Sequence, residues 1–525
     1  MQAAMTLNIN DIGAGVTNSG RKGFAGRLAA LRESSFGKTF EQVFILSATH
    51  GVSGFLVLGT FVLLANKLGP ELYGEFTFVD SVLFISILLA SLGTEYVGNR
   101  EVARTTEARE LVSGILILRA IASIAVFLLI LVWTLIFIDS ASLRPLMLIS
   151  AGVLLSVPGI AGWFFLARHR IRIVALVTLL REFAFFVPVF FILDWFEDPE
   201  TRLLYAAVFY LLSKLLFAGI FLVRLLQENG FTIKVKAATY RYILKDSLAL
   251  LYASLVASVM ISVQIYMLKF LKEDFALGVY GALFKQIFYI QLLSLSFIMV
   301  FFPLLSKAWV EDRKRYERLA SALSELTLVV ILPVALTGIL YSDYLINTFF
   351  TEEYRTGTLT LQLLCLSLIP MSYVRVLTTG VLISMDMTSK MYSLVNIAFI
   401  GSIISGLLIF VFPRADVGAA ASRLAAECLF AGISYAVVAK RVRVMTPGVL
   451  RCILPAAAVM VLIWALVPEG YVLTGIAACY GSFFAVYLLA VYFTRMDELK
   501  EIFSGKGLNA GPRAHEQILI GREET

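Results

Sequence analysis

The sequence predicts an all-α polytopic membrane protein with about fourteen transmembrane helices, and three observations carry that prediction. The chain is 59% hydrophobic and 15% charged, whereas soluble domains run near 45–50% apolar and about 25% charged. Apolar runs follow one another in series, each close to the roughly 20 residues that cross a hydrocarbon core of about 30 Å. The basic residues alternate between the segments that join these runs. Of 44 lysines and arginines, 31 fall on alternate segments starting with the N-terminal one, seven on the others and six inside the runs. Lysine and arginine stay on the cytoplasmic side during insertion, so both termini are expected inside.

Residues 1–42 form a polar cytoplasmic segment with Arg21, Lys22, Arg27, Arg32 and Lys38 and no cleavable leader. Phe24, Leu28 and Leu31 share a helical face, which predicts an amphipathic helix along the inner surface; a disordered tail is the other reading. Runs at 43–66, 76–94, 111–138, 145–167, 173–193 and 203–224 make an N-terminal six-helix bundle over 43–224. Lys67-Leu68-Gly69-Pro70 breaks the first run, because glycine adopts backbone angles other residues avoid and proline lacks an N–H. A basic cytoplasmic linker, 225–246, carries Lys234, Lys236, Arg241 and Lys245. Runs at 247–268, 279–304, 320–342, 358–384, 391–412 and 417–439 make the C-terminal six-helix bundle over 247–439. Two additional helices at 449–467 and 471–493 lie within 449–493, and 494–525 is a cytoplasmic tail. Pro158, Pro188, Pro333 and Pro370 fall inside runs and are expected to bend or locally open them. Gly74-Glu75-Phe76 and Gly278-Val279-Tyr280 each open a helix after a short outer turn, 204 residues and six helices apart. Six is even, so the two bundles run parallel, related by a pseudo-two-fold axis along the membrane normal.

Four cysteines lie in apolar runs without paired spacing and read as packing residues. Three histidines are scattered, and no H-x-x-x-H, C-x-x-C or phosphate-cradling G-x-x-x-x-G-K-[ST] occurs. No catalytic residue, metal site, cofactor or nucleic-acid partner is therefore expected. Function must come from charges held in the membrane, where each costs at least about 2.5–3.5 kcal/mol and usually faces a cavity or a partner. The bases are Arg119, Arg181, Lys214, Lys285, Arg375 and Arg423; the acids within spans are Asp80, Glu182 and Glu427. All six bases are candidate cavity residues for an anionic ligand, with Lys214 and Arg375 the deepest. Each has a structural alternative: Arg181 pairs with Glu182 or snorkels, Arg119 snorkels, and Arg423 pairs with Glu427 four residues on. Lys285 sits one position beyond the repeat equivalent of Asp80, so the two are expected to face each other as a gate, an ion-coupling pair or a simple ion pair.

A motif supports this frame. Leu68-Gly69-Pro70-Glu71, Tyr73-Gly74, Phe76, then Ser91-Leu92-Gly93 and Arg100-Glu101-Val102-Ala103-Arg104 resemble the start of the Wzx-like polysaccharide-export flippases, a branch of the MOP superfamily. That resemblance implies two six-helix bundles of MOP type with additional C-terminal helices. It implies a non-enzymatic transporter in the bacterial inner membrane that carries an undecaprenyl-diphosphate-linked oligosaccharide to the outer leaflet. The expected partners are the lipid-linked oligosaccharide, membrane lipids and a polysaccharide polymerase or export machinery. Rival readings are a peptidoglycan lipid II flippase, a drug or metabolite antiporter of the same superfamily, and a membrane-embedded glycosyltransferase or polymerase. The antiporter would favour acidic cavity residues. The enzyme would need a large extramembrane loop, and the longest outer loop here is 343–357.

Overall fold

The computed structural model describes residues 35–503, apart from 106, 272, 445, 446, 469 and 470. The amphipathic helix expected around Phe24 and the end of the C-terminal tail lie outside the described residues. Among the described residues the chain is helical with no strand. Twelve segments of the described residues are long and apolar enough to cross a membrane, and a shorter apolar helix spans Arg451–Leu466.

The first of the twelve, Gly51–Ser91, is two helices. Gly69 breaks it with φ 73° and ψ 167°, followed by Pro70. We call the arms α1 (35–68) and α2 (70–91). Fifteen residues of unbroken helix would separate Phe61 from Phe76 by about 22 Å, yet their rings lie 6.4 Å apart; the chain therefore folds back on itself at Gly69. The other end of α2 stops at Leu92 and Gly93, both with positive φ. Gly93 is required twice over, since a Cβ there would stand 2.7 Å from the carbonyl oxygen of Ser247. Thr94–Arg104, expected as a basic connection, is a helix of its own (α3). It is fixed by Arg100, which donates to Asp246 at 2.6 Å and to Tyr242 at 2.9 Å.

Next come α4 (Arg109–Phe137) and α5 (Leu143–Ala167). Although its sequence is one apolar run, α5 is not one helix. It tightens to 3-10 geometry over Gly152–Gly159 around Pro158 and breaks at Ile160 before a last helical turn from Gly162. Proline removes a helical hydrogen bond, and the carbonyls released must find other donors. Then follow α6 (Ile171–Phe191), α7 (Pro199–Asn229), α8 (Ala237–Phe270), α9 (Asp274–Gln291) and α10 (Leu293–Glu311). The last two divide at Leu292 what the sequence reads as a single span. Then come α11 (Arg313–Leu340), α12 (Thr358–Arg375), α13 (Thr388–Gly406), α14 (Ala415–Ala439), α15 (Pro447–Leu466) and α16 (Val472–Phe503). Immediately after Arg375, α12 widens into a π-helical stretch over Val376–Leu382.

The packing has two ends of different character. At the end bearing the Gly69 turn, one apolar core joins α1 and α2 (Phe61, Leu64, Tyr73, Phe76) to α9 (Leu277, Tyr280) and α12 (Leu361, Leu364). At the end bearing the basic segments the core splits. One part, around Val112, Phe164 and Phe221, belongs to α3–α7 with Ile243 of α8. The other, around Leu305, Tyr316 and Leu377, belongs to α10–α14. Helices α15 and α16 pack on α11 through Met460, Cys479, Phe483 and Leu328, and Tyr487 donates to the buried Glu325 carboxylate at 3.0 Å.

Candidate functional site: a charged cavity at mid-depth

A cavity of about 340 Å³ lies where the shared core ends, lined by α1, α2, α6 and α7 on one side and α8 and α9 on the other. Asp80 stands eleven residues past Gly69 and Lys285 eleven past Asp274, so each is about 16 Å along its helix from the Gly69-turn end. That is half of a membrane's apolar thickness.

Helical spacing sets the lining on α2: Thr77, Asp80, Ser81, Phe84 and Ile87 fall on one stripe. Asp80 reaches across to Lys285 of α9 at 2.5 Å, and the Tyr210 hydroxyl donates to its other oxygen at 3.0 Å. The Lys285 ammonium lies 3.6 Å from the Phe61 ring centroid, a cation–π contact that stabilises a charge kept from water. On α6, Arg181 pairs with its neighbour Glu182, its Nε 2.9 Å from Oε1, and its guanidinium packs over Phe217. Lys214 on α7 lies over the Tyr210 ring at 4.7 Å. It has no hydrogen bond or ion pair among the described residues. The lining thus holds three cations and two carboxylates, and both carboxylates are already engaged. One half-buried ammonium remains uncommitted, and an ammonium drawn away from bulk water without an acceptor is costly unless water or a ligand meets it.

The remaining predicted bases lie elsewhere. Arg119 is fully buried; its Nε donates to Thr94 Oγ1 at 2.7 Å and its Nη1 to the Ile160 carbonyl at 2.8 Å, while the guanidinium packs against Trp163. That carbonyl is one released by the break in α5. Arg423 forms the expected ion pair with Glu427 at 2.6 Å, both nearly inaccessible. Arg375 is the last residue of α12 before the π-helical stretch. None of these three lines the cavity.

Sequence reasoning missed the aromatic part of the lining, which includes Phe61, Tyr210, Phe284 and Tyr289. For Tyr210 a signal existed, since it precedes Lys214 by four residues and so shares its helix face.

Outside the membrane-spanning segments, Arg100 ties α3 to the start of α8. Its hydrogen bonds to the Asp246 and Glu101 carboxylates push its pKa still higher. It is a fixed cation that anchors the basic end of the first half.

Among solved structures, the chain is similar to the lipid II flippase MurJ in an inward closed conformation, at 15% identity and a TM-score of 0.68, covering 87% of this chain and 100% of that one. It is also similar to an inward-facing multidrug resistance MATE family transporter of the MOP superfamily, at 14% identity and a TM-score of 0.59, covering 76% and 98%. A MOP superfamily transporter from Pyrococcus furiosus matches at 15% identity and a TM-score of 0.55, covering 80% and 98%. At these identities the likeness establishes the fold. No curated protein matches the chain. The family model for polysaccharide biosynthesis proteins matches residues 40–309, and with that match the chain, a multi-pass helical membrane protein of MOP fold, belongs to the polysaccharide biosynthesis protein family.

Proposed function

We propose that the protein carries an oligosaccharide linked to undecaprenyl diphosphate from the inner to the outer leaflet of the bacterial cytoplasmic membrane by alternating access. It serves the export of a surface polysaccharide and performs no chemistry on its cargo. In this reading the chain crosses fourteen times, counting α1 and α2 separately and including α15. Both termini are cytoplasmic, as the distribution of lysine and arginine favours. The bundles over 43–224 and 247–439, joined by the linker 225–246, rock against each other. A polymerase or export assembly at the outer surface receives the cargo.

The carrying observation is the mid-depth cavity built by both halves, in which cations outnumber carboxylates and Lys214 is uncommitted. An ammonium of this kind is a point charge for a lipid phosphate, and Arg181 offers planar donors beside it. Family membership favours the carrier lipid of an exported polysaccharide over a cell-wall precursor. A cationic drug as cargo is disfavoured because Asp80 and Glu182 are already neutralised.

Transport of lipid-linked oligosaccharide into the outer leaflet of proteoliposomes is the test. Lys214→Ala removes one charge-assisted contact worth about 1.5–3 kcal/mol and should lower the rate about tenfold or more while leaving insertion and thermal stability intact. An unchanged rate would remove Lys214 from the site and leave the cavity without its reason for binding an anion.

A further inference from the structure

The pair that closes the cavity has an unusual composition for a ligand site: its best-placed cation is occupied by a carboxylate of the other half. Asp80 belongs to α2 and Lys285 to α9, and their contact at 2.5 Å ties the two halves together at the depth of the cavity. Toward the Gly69 turn the same two helices touch backbone to backbone. A Cβ on Gly278 would overlap the Pro70 carbonyl, and one on Gly281 would stand 2.6 Å from Thr77. Opening the cavity toward that end requires α2 and α9 to part, and parting them breaks the ion pair. Separating a partly buried pair leaves two charges without partners, which is strongly unfavourable unless something replaces each partner. Replacements are present. An entering phosphate brings oxygens for Lys285, and Asp80 retains the Tyr210 hydroxyl, with the Lys214 ammonium against the same tyrosine ring.

We propose that Asp80 is a built-in surrogate for the ligand's phosphate and Lys285 the residue that reads it, a conclusion that rests on the lipid-diphosphate reading above. In the empty protein the carboxylate occupies Lys285 and clamps the halves at the Gly69-turn end. A diphosphate headgroup displaces the carboxylate and releases the clamp; a neutral lipid with the same tail lacks the charge to compete. The pair therefore determines specificity, because cargo that cannot take Lys285 from Asp80 enters the cavity without opening its far side.

The test places spin labels at Glu71 and Glu352, exposed sites on the two halves at the Gly69-turn end, in the full chain in nanodiscs, and reads their distance distribution. Empty wild type should give one short distance. Asp80→Asn and Lys285→Gln should each add a longer one, lowering the closed-to-open ratio on the order of tenfold or more. The double variant Asp80→Lys/Lys285→Asp should return to the short distance, showing that charge pairing and not misfolding is at issue. Farnesyl diphosphate added to wild type should reproduce the longer distance, and farnesol should not. Unchanged distributions in both single variants would overturn the clamp. An equal response to farnesol and farnesyl diphosphate, or none to either, would overturn the surrogate role. The variants need no ligand, so a protein whose single variants open and whose wild type opens with farnesyl diphosphate alone, yet which moves no lipid-linked oligosaccharide, would refute the proposed function alone.

Discussion

A buried arginine in a transporter invites assignment to the substrate, and Arg119 shows why its contacts must be read first. Two of its donors end on Thr94 Oγ1 and the Ile160 carbonyl and a third faces the Glu95 carboxylate at 3.8 Å; the Ile160 acceptor is free only because α5 breaks after Pro158. The guanidinium is thus part of the fold: it joins α4 to the start of α3 and to a broken turn of α5. Arg119→Leu should cost about 2–3 kcal/mol, the worth of charge-assisted hydrogen bonds whose partners stay buried. Arg119→Lys should restore little, since one ammonium does not span the two acceptors as a fork does. Thermal unfolding in detergent checks this: Arg119→Leu should melt well below wild type, whereas Lys214→Ala should not. Depth in the sequence did not separate these residues. Arg375 and Lys214 are comparably far from a span edge, but only one lines the cavity, because distance along a helix fixes depth and leaves the facing direction open. Arg423 and Glu427, four apart, were legible as a pair. Asp80 and Lys285 were legible through the 204-residue offset between halves. The Ile160 contact was not, since it depends on a local break 41 residues from Arg119.

At the scale of elements, the helices follow from hydropathy and their interruptions from glycine and proline, with unequal clarity. The turn at Gly69-Pro70 and the stop at Leu92-Gly93 stand where the sequence places them. α5 breaks just past Pro158, one of the prolines expected to bend or open its run, whereas the division at Leu292 and the widening after Arg375 interrupt runs that are apolar throughout, and hydropathy averages across such faults. Glycines that let helices touch form a second layer of information. Gly278 packs on the Pro70 carbonyl, while a Cβ on Gly219 would meet open space. Gly278→Ala should therefore wedge α2 from α9, and overpacking of this kind costs about 1–3 kcal/mol or more because backbone cannot yield as a side chain does. Gly219→Ala, in the middle of α7, should be neutral or slightly stabilising. The pair can be compared by thermal unfolding, and Gly278→Ala should also expose thiols introduced at the Gly69-turn end. Equal behaviour of the two variants would mean that the α2–α9 contact is looser than its geometry.

Across the whole molecule, one core at the Gly69-turn end and two at the basic end describe a body that is shut on one side and divided on the other. The shut side is reinforced by hydrogen bonds between halves. Asn66 donates to the Phe349 carbonyl at 2.8 Å and accepts from the Thr351 amide at 3.1 Å, and Tyr354 donates to the Ala65 carbonyl. With the orientation proposed above, this is a state closed to the outside. A polytopic chain with a polar mid-depth cavity cannot leave both ends open without leaking ions, so transport requires that these contacts break while the divided end closes. A tether across Asn66→Cys and Thr351→Cys by a short thiol cross-linker should then abolish transport reversibly. It should leave Phe84→Cys, on the cavity wall and 44% exposed, open to a membrane-impermeant maleimide applied from the cytoplasmic side. Without the tether, labelling of Phe84→Cys from the opposite side should appear and rise when lipid-linked oligosaccharide is supplied. Persistent transport in the tethered protein would show that cargo leaves by a route that does not part α1 and α2 from the second half. Loss of cytoplasmic labelling under the same tether would show that the two ends are not the alternating gates that the split core implies.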